Sequence, residues 1–155
     1  MVRSWRKEWN QGEFPFYYVQ IAPYDYGRKN ADKTEAAEIR QVQLECLKEI
    51  PNAGMVVTAD IGNRTCVHPS DKESVGKRLA LWALAKTYQR SGTPYSGPLY
   101  KSFTIDKEKI IVEFDYAEMG MTSYDREIVG FEIAGKDGIL SLIHISEPTR
   151  PRLIS

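Results

Sequence analysis

The chain has 155 residues, with 21 basic and 21 acidic side chains, and its formal charge is zero. That balance gives no basic footprint for nucleic acid or an anionic membrane surface, and the partner expected is a neutral or small molecule. No apolar run is long enough to span a bilayer, Met1-Val2-Arg3-Ser4-Trp5-Arg6 lacks the apolar stretch of a signal peptide, and the composition is that of one ordinary globular domain or pieces of two.

Phe14 to Pro23 is aromatic and β-branched without alternation, the pattern of a strand covered on both faces, and predicts a strand over about Phe16 to Ile21. A polar loop, Tyr24 to Asn30, follows. Asp32 with Glu35 three residues on predicts a helix start, and Ile39, Val42, Gln43, Cys46, Leu47 and Ile50 predict its packed face before Pro51 stops it. Gly54 to Asp60 reads as a second short buried strand. Ser70 with Glu73 forms a capping-box pattern opening a helix to about Gln89, with Val75, Leu79, Trp82, Leu84 and Tyr88 among its apolar residues. Strand, helix, strand, helix predicts a right-handed crossover unit with parallel strands over residues 1–91.

After the Gly- and Pro-rich stretch from Ser91 to Pro98 the texture changes. Lys101 to Asp106, Lys109 to Asp115 and Ile128 to Ala134 read as three strands, the last running into the turn Gly135 to Gly138. This predicts the start of an antiparallel β domain over 97–139. Two parallel and about three antiparallel strands are too few to complete either layer, so a piece of a longer protein is expected. The segment Leu140 to Arg150 is identical to the in-frame translation of a sequencing-library transposase adapter. Residues 140–155 are therefore set aside as an artefact, with the native sequence ending near Ile139 and no role for His144. The competing reading is an ordinary strand and a Pro-rich terminus.

His68 falls in the loop outside the carboxyl end of the second strand, where ligands collect in open α/β sheets. It can be a general base, a metal ligand or a structural histidine. Neither Cys66 nor Asp71 completes a metal set. A neutral imidazole beside a helix amino terminus can accept a proton, so general-base chemistry fits better. Such chemistry needs a nucleophile and an orienting acid. No serine lies in a Gly-x-Ser-x-Gly turn, and Ser70 and Ser74 read as helix-start residues. Asp60, at the end of the second strand, is the best placed acid, although an aspartate there is as often a turn former. Cys46 and Cys66 read as a buried helix residue and a loop thiol. Trp5, Trp9 and Tyr17 could stack on a sugar but are expected in the core. Arg40 and Gln43 could contact a carboxylate, the alternative being a solvated or hydrogen-bonding helix face.

Several segments together resemble one family. Trp5-Arg6 to Trp9, then Phe14-Pro15-Phe16-Tyr17 to Pro23, is similar to the WR-x-x-W and FPFY-x-VQ-x-AP segments of the sialate O-acetylesterases, which are SGNH-type serine esterases. Ile39 to Leu44 resembles their LREAQL helix. Asp60-Ile61-Gly62, His68-Pro69 with Lys72, and Val75 to Ala80 resemble their DIG, IHP-x-x-K and VG-x-RLA block, and Ser96 to Tyr100 and Gly130 to Gly138 their following β region. The resemblance implies part of a flavodoxin-like SGNH-hydrolase parallel sheet with helices, then an antiparallel β domain. It implies removal of O-acetyl groups from sialic acid or a related sugar, with no metal or organic cofactor. His68 would be the base, and the serine and oxyanion hole would lie upstream. Family members often carry an aspartate two or three residues before the histidine, where this chain has Thr65 and Cys66. Asp60, a backbone carbonyl, or a weakened loop are the alternatives. Other readings are an esterase for acetylated xylan or another glycan, and a non-catalytic carbohydrate-binding segment. Localisation and oligomeric state stay open, although family members are often exported.

Overall fold

The computed structural model describes residues 1–26, 35–117, 120, 132–136 and 140–142. The expected cap at Asp32, residues 128–131 of the third antiparallel strand and His144 lie outside them. The chain divides into two units, Met1–Gly97 and Pro98–Ser155. No helix among the described residues is long and apolar enough to cross a membrane.

The first unit contains α1 (Val2–Trp9), β1 (Phe16–Val19), α2 (Glu35–Glu49), β2 (Ala53–Val56) and α3 (Lys72–Trp82), the last continuing into a π-helical turn, Ala83–Thr87. β1 and β2 are parallel, with Phe16 opposite Ala53 and Val19 opposite Val56. This is the β-α-β arrangement expected from the sequence, with strands shorter than expected. Alternate residues of β1 meet different helices. Tyr17 packs against Trp82 of α3, whereas Phe16 meets Trp5 of α1 and the Tyr18 hydroxyl donates to the Gln43 carbonyl of α2 at 2.6 Å. Burial, with Cys46 close by, pushes the Tyr18 phenol up to about 12.

α1 was not expected. It is held by Arg6, only 7% exposed, whose guanidinium donates to the carbonyls of Phe14 (2.7 and 3.2 Å) and Pro51 (2.8 Å) and to Glu13 (3.3 Å). A single side chain thus ties α1, the segment entering β1 and the turn entering β2. Buried charge demands such a full set of partners. Trp5 and Trp9, expected in the core, are exposed. One turn apart, they flank the buried pair Val2 and Arg6: Trp5 leans on Phe16 at 5.8 Å and Trp9 stacks on Phe14 at 5.2 Å, each leaving much of its ring exposed.

The packed face of α2 also differs from expectation. Ile39 and Val42 are exposed, and Arg40 and Gln43 face the sheet. Gln43 accepts from the Ile21 N–H (2.9 Å) and donates to the Val19 carbonyl (3.5 Å), while Arg40 donates to the Ile21 carbonyl (3.3 Å). These peptide groups lie on the side of β1 and its continuation away from β2, because the alternate residues Phe16 and Gln20 donate to the Asn52 and Val56 carbonyls on the other side. Their hydrogen-bonding demand sets the rotation of the helix against its apolar pattern.

The outer edge of β2 is closed similarly. Trp82 Nε1 donates to the Met55 carbonyl (2.9 Å) and Arg78 to the Val57 carbonyl (2.7 Å). Met55, Val56, Thr58 and Trp82 form the centre of the core. Tyr88, expected to be packed, is 71% exposed. The helix ends in a π turn, where the Tyr88 N–H reaches the Ala83 carbonyl and the Tyr17 and Thr87 hydroxyls meet at 2.7 Å. Asp71, rather than Ser70, caps α3: its carboxylate accepts from the Ser74 N–H (2.9 Å) and hydroxyl (2.6 Å). A charged carboxylate is the stronger acceptor for the first-turn N–H.

The second unit holds the hairpin β3 (Leu99–Asp106) with β4 (Lys109–Asp115), and a separate antiparallel pair, β5 (Glu132–Ala134) with β6 (Leu140–Leu142). Register shifts between Tyr100 and Ser102. Phe103, Ile105, Ile110 and Ile111 remain exposed on the hairpin. β6 is formed by residues that the sequence reading sets aside as adapter-derived.

Gly54 lies flat beneath Trp82. A Cβ there would sit 2.5 Å from Trp82 Cε3 and 2.9 Å from Tyr17 Cδ1. Gly54→Ala is expected to destabilise the chain by about 1–3 kcal/mol through overpacking, read as a lower urea midpoint with unchanged m-value.

Candidate active site

Both parallel strands deliver their carboxyl ends to the same place. Beyond β1 run Pro23, Tyr24 and Asp25, and beyond β2 run Ala59, Asp60, Gly62 and Arg64; together they line an open cleft of about 350 Å³. Parallel strands joined by a crossover necessarily point their carboxyl ends the same way, which is why such clefts gather loop residues.

The two loops are bound closely to each other. The Asn63 N–H donates to the Pro23 carbonyl (3.1 Å) and the Asp25 N–H to the Arg64 carbonyl (3.2 Å). Gly62 fits because it has no side chain: a Cβ would lie 2.5 Å from the Pro23 oxygen. Buried Thr58, 1% exposed, donates to the Gln20 carbonyl at 3.1 Å and fixes the start of the second loop.

Asn63 then turns the chain toward His68. Its side-chain oxygen accepts from the Thr65 N–H (2.8 Å), the Thr65 hydroxyl (3.0 Å) and the Cys66 N–H (3.0 Å). Short polar side chains organise turns in this way. The Cys66 thiol donates to the His68 carbonyl at 3.3 Å, and buried Pro69 follows. The His68 ring is exposed and makes no hydrogen bond to another described residue. Its segment is fixed on one side by the Asn63 turn and on the other by the Asp71 cap. Asn63, not singled out from the sequence, organises the turn before His68, and the Asn-x-Thr-Cys pattern was the signal for it.

Asp60 is engaged elsewhere. Its two carboxylate oxygens accept from Arg78 Nη1 (2.7 Å) and Nη2 (2.5 Å), a bidentate pair. No hydrogen bond joins Asp60 to His68 among the described residues. The hydrogen bond from Arg78 holds the Asp60 carboxyl below its usual range. Arg78 thereby ties the loop after β2, through Asp60 and the Val57 carbonyl, to the middle of α3. Arg40 and Gln43, weighed as carboxylate contacts, serve the backbone of β1 instead. Cys46 is half-buried in α2, and both cysteines are free thiols.

No model of a protein family matches the chain. The mouse sialate O-acetylesterase is 29% identical over 122 residues, covering 68% of this chain and 22% of that protein. The human sialate O-acetylesterase is 27% identical over 132 residues, covering 75% and 25%. The crystal structure of a carbohydrate acetylesterase from Xanthomonas citri superposes with a TM-score of 0.83 at 33% identity, over 93% of this chain and 33% of that one. The chain is thus similar to sialate O-acetylesterases in sequence and to a carbohydrate acetylesterase in sequence and fold. It spans about a quarter of the length of these curated sialate O-acetylesterases and a third of the solved acetylesterase.

The Asp60–Arg78 pair gives a pH signature. The folded carboxyl titrates below its ordinary value of 3.8, so the pair contributes fully above that value and is lost as pH falls through the depressed one. Asp60→Asn is expected to cost about 1 kcal/mol or less at neutral pH, because the pair is largely exposed. The difference between wild type and variant should shrink in urea unfolding as the pH is taken down from neutrality to below 3.8; a constant gap would contradict it.

Proposed function

We propose that this chain is the histidine-bearing part of a serine-type carbohydrate O-acetylesterase acting on acetylated sialic acid or a related sugar. The observation that carries the reading is His68, exposed in a loop braced at both ends, on a chain with a TM-score of 0.83 to a carbohydrate acetylesterase. On this reading the flavodoxin-like SGNH sheet is completed by sequence outside the chain, which also brings the serine and the oxyanion donors. The parallel strands and the cleft at their carboxyl ends support that placement.

The steps follow from the residues. Neutral His68 takes the proton of the serine hydroxyl as its oxygen attacks the acetyl carbonyl, giving a tetrahedral oxyanion. As the C–O bond to the sugar breaks, imidazolium returns the proton to the leaving sugar oxygen, and an acetyl-enzyme remains. Water, deprotonated by His68, then releases acetate and regenerates the serine. Asp60 enters as a positioning residue: through Arg78 it holds the loop that leads to Asn63 and His68, rather than bonding the ring.

In the complete gene product, His68→Ala is expected to lower kcat for acetate release from O-acetylated sialic acid by roughly a thousandfold or more. Asp60→Asn should lower it by only about tenfold, against about 10⁴ where an aspartate directly orients the histidine. The isolated 155-residue chain should release no acetate. His68-dependent release by that chain, or full activity in His68→Ala, would overturn the assignment.

A further inference from the structure

Among the described residues lining the cleft, Arg64 is the arginine, and its guanidinium keeps an open face. Arg78 donates from both terminal nitrogens, to Asp60 and to the Val57 carbonyl. Arg64 makes one long contact, from Nε to Asp25 Oδ2 at 3.5 Å, and its side chain is 87% exposed. Its Nη1 and Nη2 atoms have no partner among the described residues.

An exposed arginine is commonplace, but this one is held in place. Its carbonyl accepts from the Asp25 N–H, the preceding Asn63 donates to Pro23, and Gly62 packs on Pro23 with no space for a side chain. The base of the side chain therefore belongs to the cleft wall, and the contact through Nε orients the fork while leaving its outer edge open. The two carboxylates of the cleft are already matched, Asp25 by Arg64 Nε and Asp60 by Arg78. The remaining unfilled hydrogen-bonding edge is cationic, planar and bidentate, the geometry that fits a carboxylate.

Resting on the carbohydrate-esterase reading, we infer that Arg64 is a specificity-determining residue that binds the carboxylate of an acidic acetylated sugar in the cleft. Tyr24, in the same wall, supplies an apolar surface for the body of the sugar. A neutral acetylated glycan has no group for the open edge of Arg64 and is disfavoured relative to the acid.

The test compares O-acetylated N-acetylneuraminic acid with its carboxyl methyl ester, using the complete gene product, Arg64→Gln and Arg64→Lys. Wild type is expected to prefer the acid by roughly tenfold in kcat/KM, the effect of one charge-assisted contact. Arg64→Gln should bring the ratio near one by raising KM for the acid rather than lowering kcat, and Arg64→Lys should retain part of it. A wild type without preference, or a ratio unchanged in Arg64→Gln, overturns the inference. If wild type releases no acetate from either compound, the esterase reading fails. Equilibrium binding of N-acetylneuraminic acid against its methyl ester then decides for Arg64: an acid preference lost in Arg64→Gln supports the site, and no preference overturns it. Matching melting temperatures of the variants and wild type exclude unfolding as the cause.

Discussion

Two strands of four residues each leave as many peptide groups facing outward as inward, and every one of them near the core must find a partner. Here side chains supply much of that demand. Gln43 and Arg40 bond the outer edge of β1, while Trp82 and Arg78 bond the outer edge of β2. The flanking helices are thus fixed in rotation as well as packed on the sheet. A shift of either helix by one residue would break these hydrogen bonds, so the register of helix on strand is held more firmly than apolar contact alone would hold it.

The same bonds carry order to the cleft. Arg78 reaches from α3 to the Val57 carbonyl and to Asp60, and so fixes the first residues beyond β2. From there backbone hydrogen bonds join this loop to the one beyond β1, and Asn63 turns the chain toward His68. Arg6 performs a related task at the amino ends of both strands, where it binds carbonyls on either side. Charged and polar side chains at the two ends of a small parallel sheet therefore position its loops, and the apolar core around Met55, Val56 and Trp82 lies between them.

Much of this was legible in the residues. The parallel pair, the intervening helix, the hairpin after Leu99 and the place of His68 in the loop before α3 follow from local pattern: β-branched runs, Pro51 as a stop, a charged turn at Asp106 to Lys109. What was not legible depended on distant partners. The α1 segment carries few apolar residues, and its Trp5–Trp9 spacing and the helix-ending Asn10 were the signals passed over. The exposed faces of Ile39 and Val42 could not be read from periodicity, because Gln43 answers to β1 rather than to its neighbours in α2. Asp60 looked like an acid available to His68, and only the position of Arg78, 18 residues away, shows where its carboxylate goes.

The sequence by itself determined the parallel strand pair with α2 and α3, the hairpin after Leu99, the loop that holds His68 and the family resemblance, since these rest on spacing within short segments. Only the tertiary structure decided how the charged side chains pair: Arg6 at the strand starts, Arg78 with Asp60, and Arg64 left with an open edge in the cleft. The physical reason is range. Periodicity and capping act over a few residues and are written locally, whereas the partner of a long, charged side chain is chosen among all groups the fold brings within hydrogen-bonding distance.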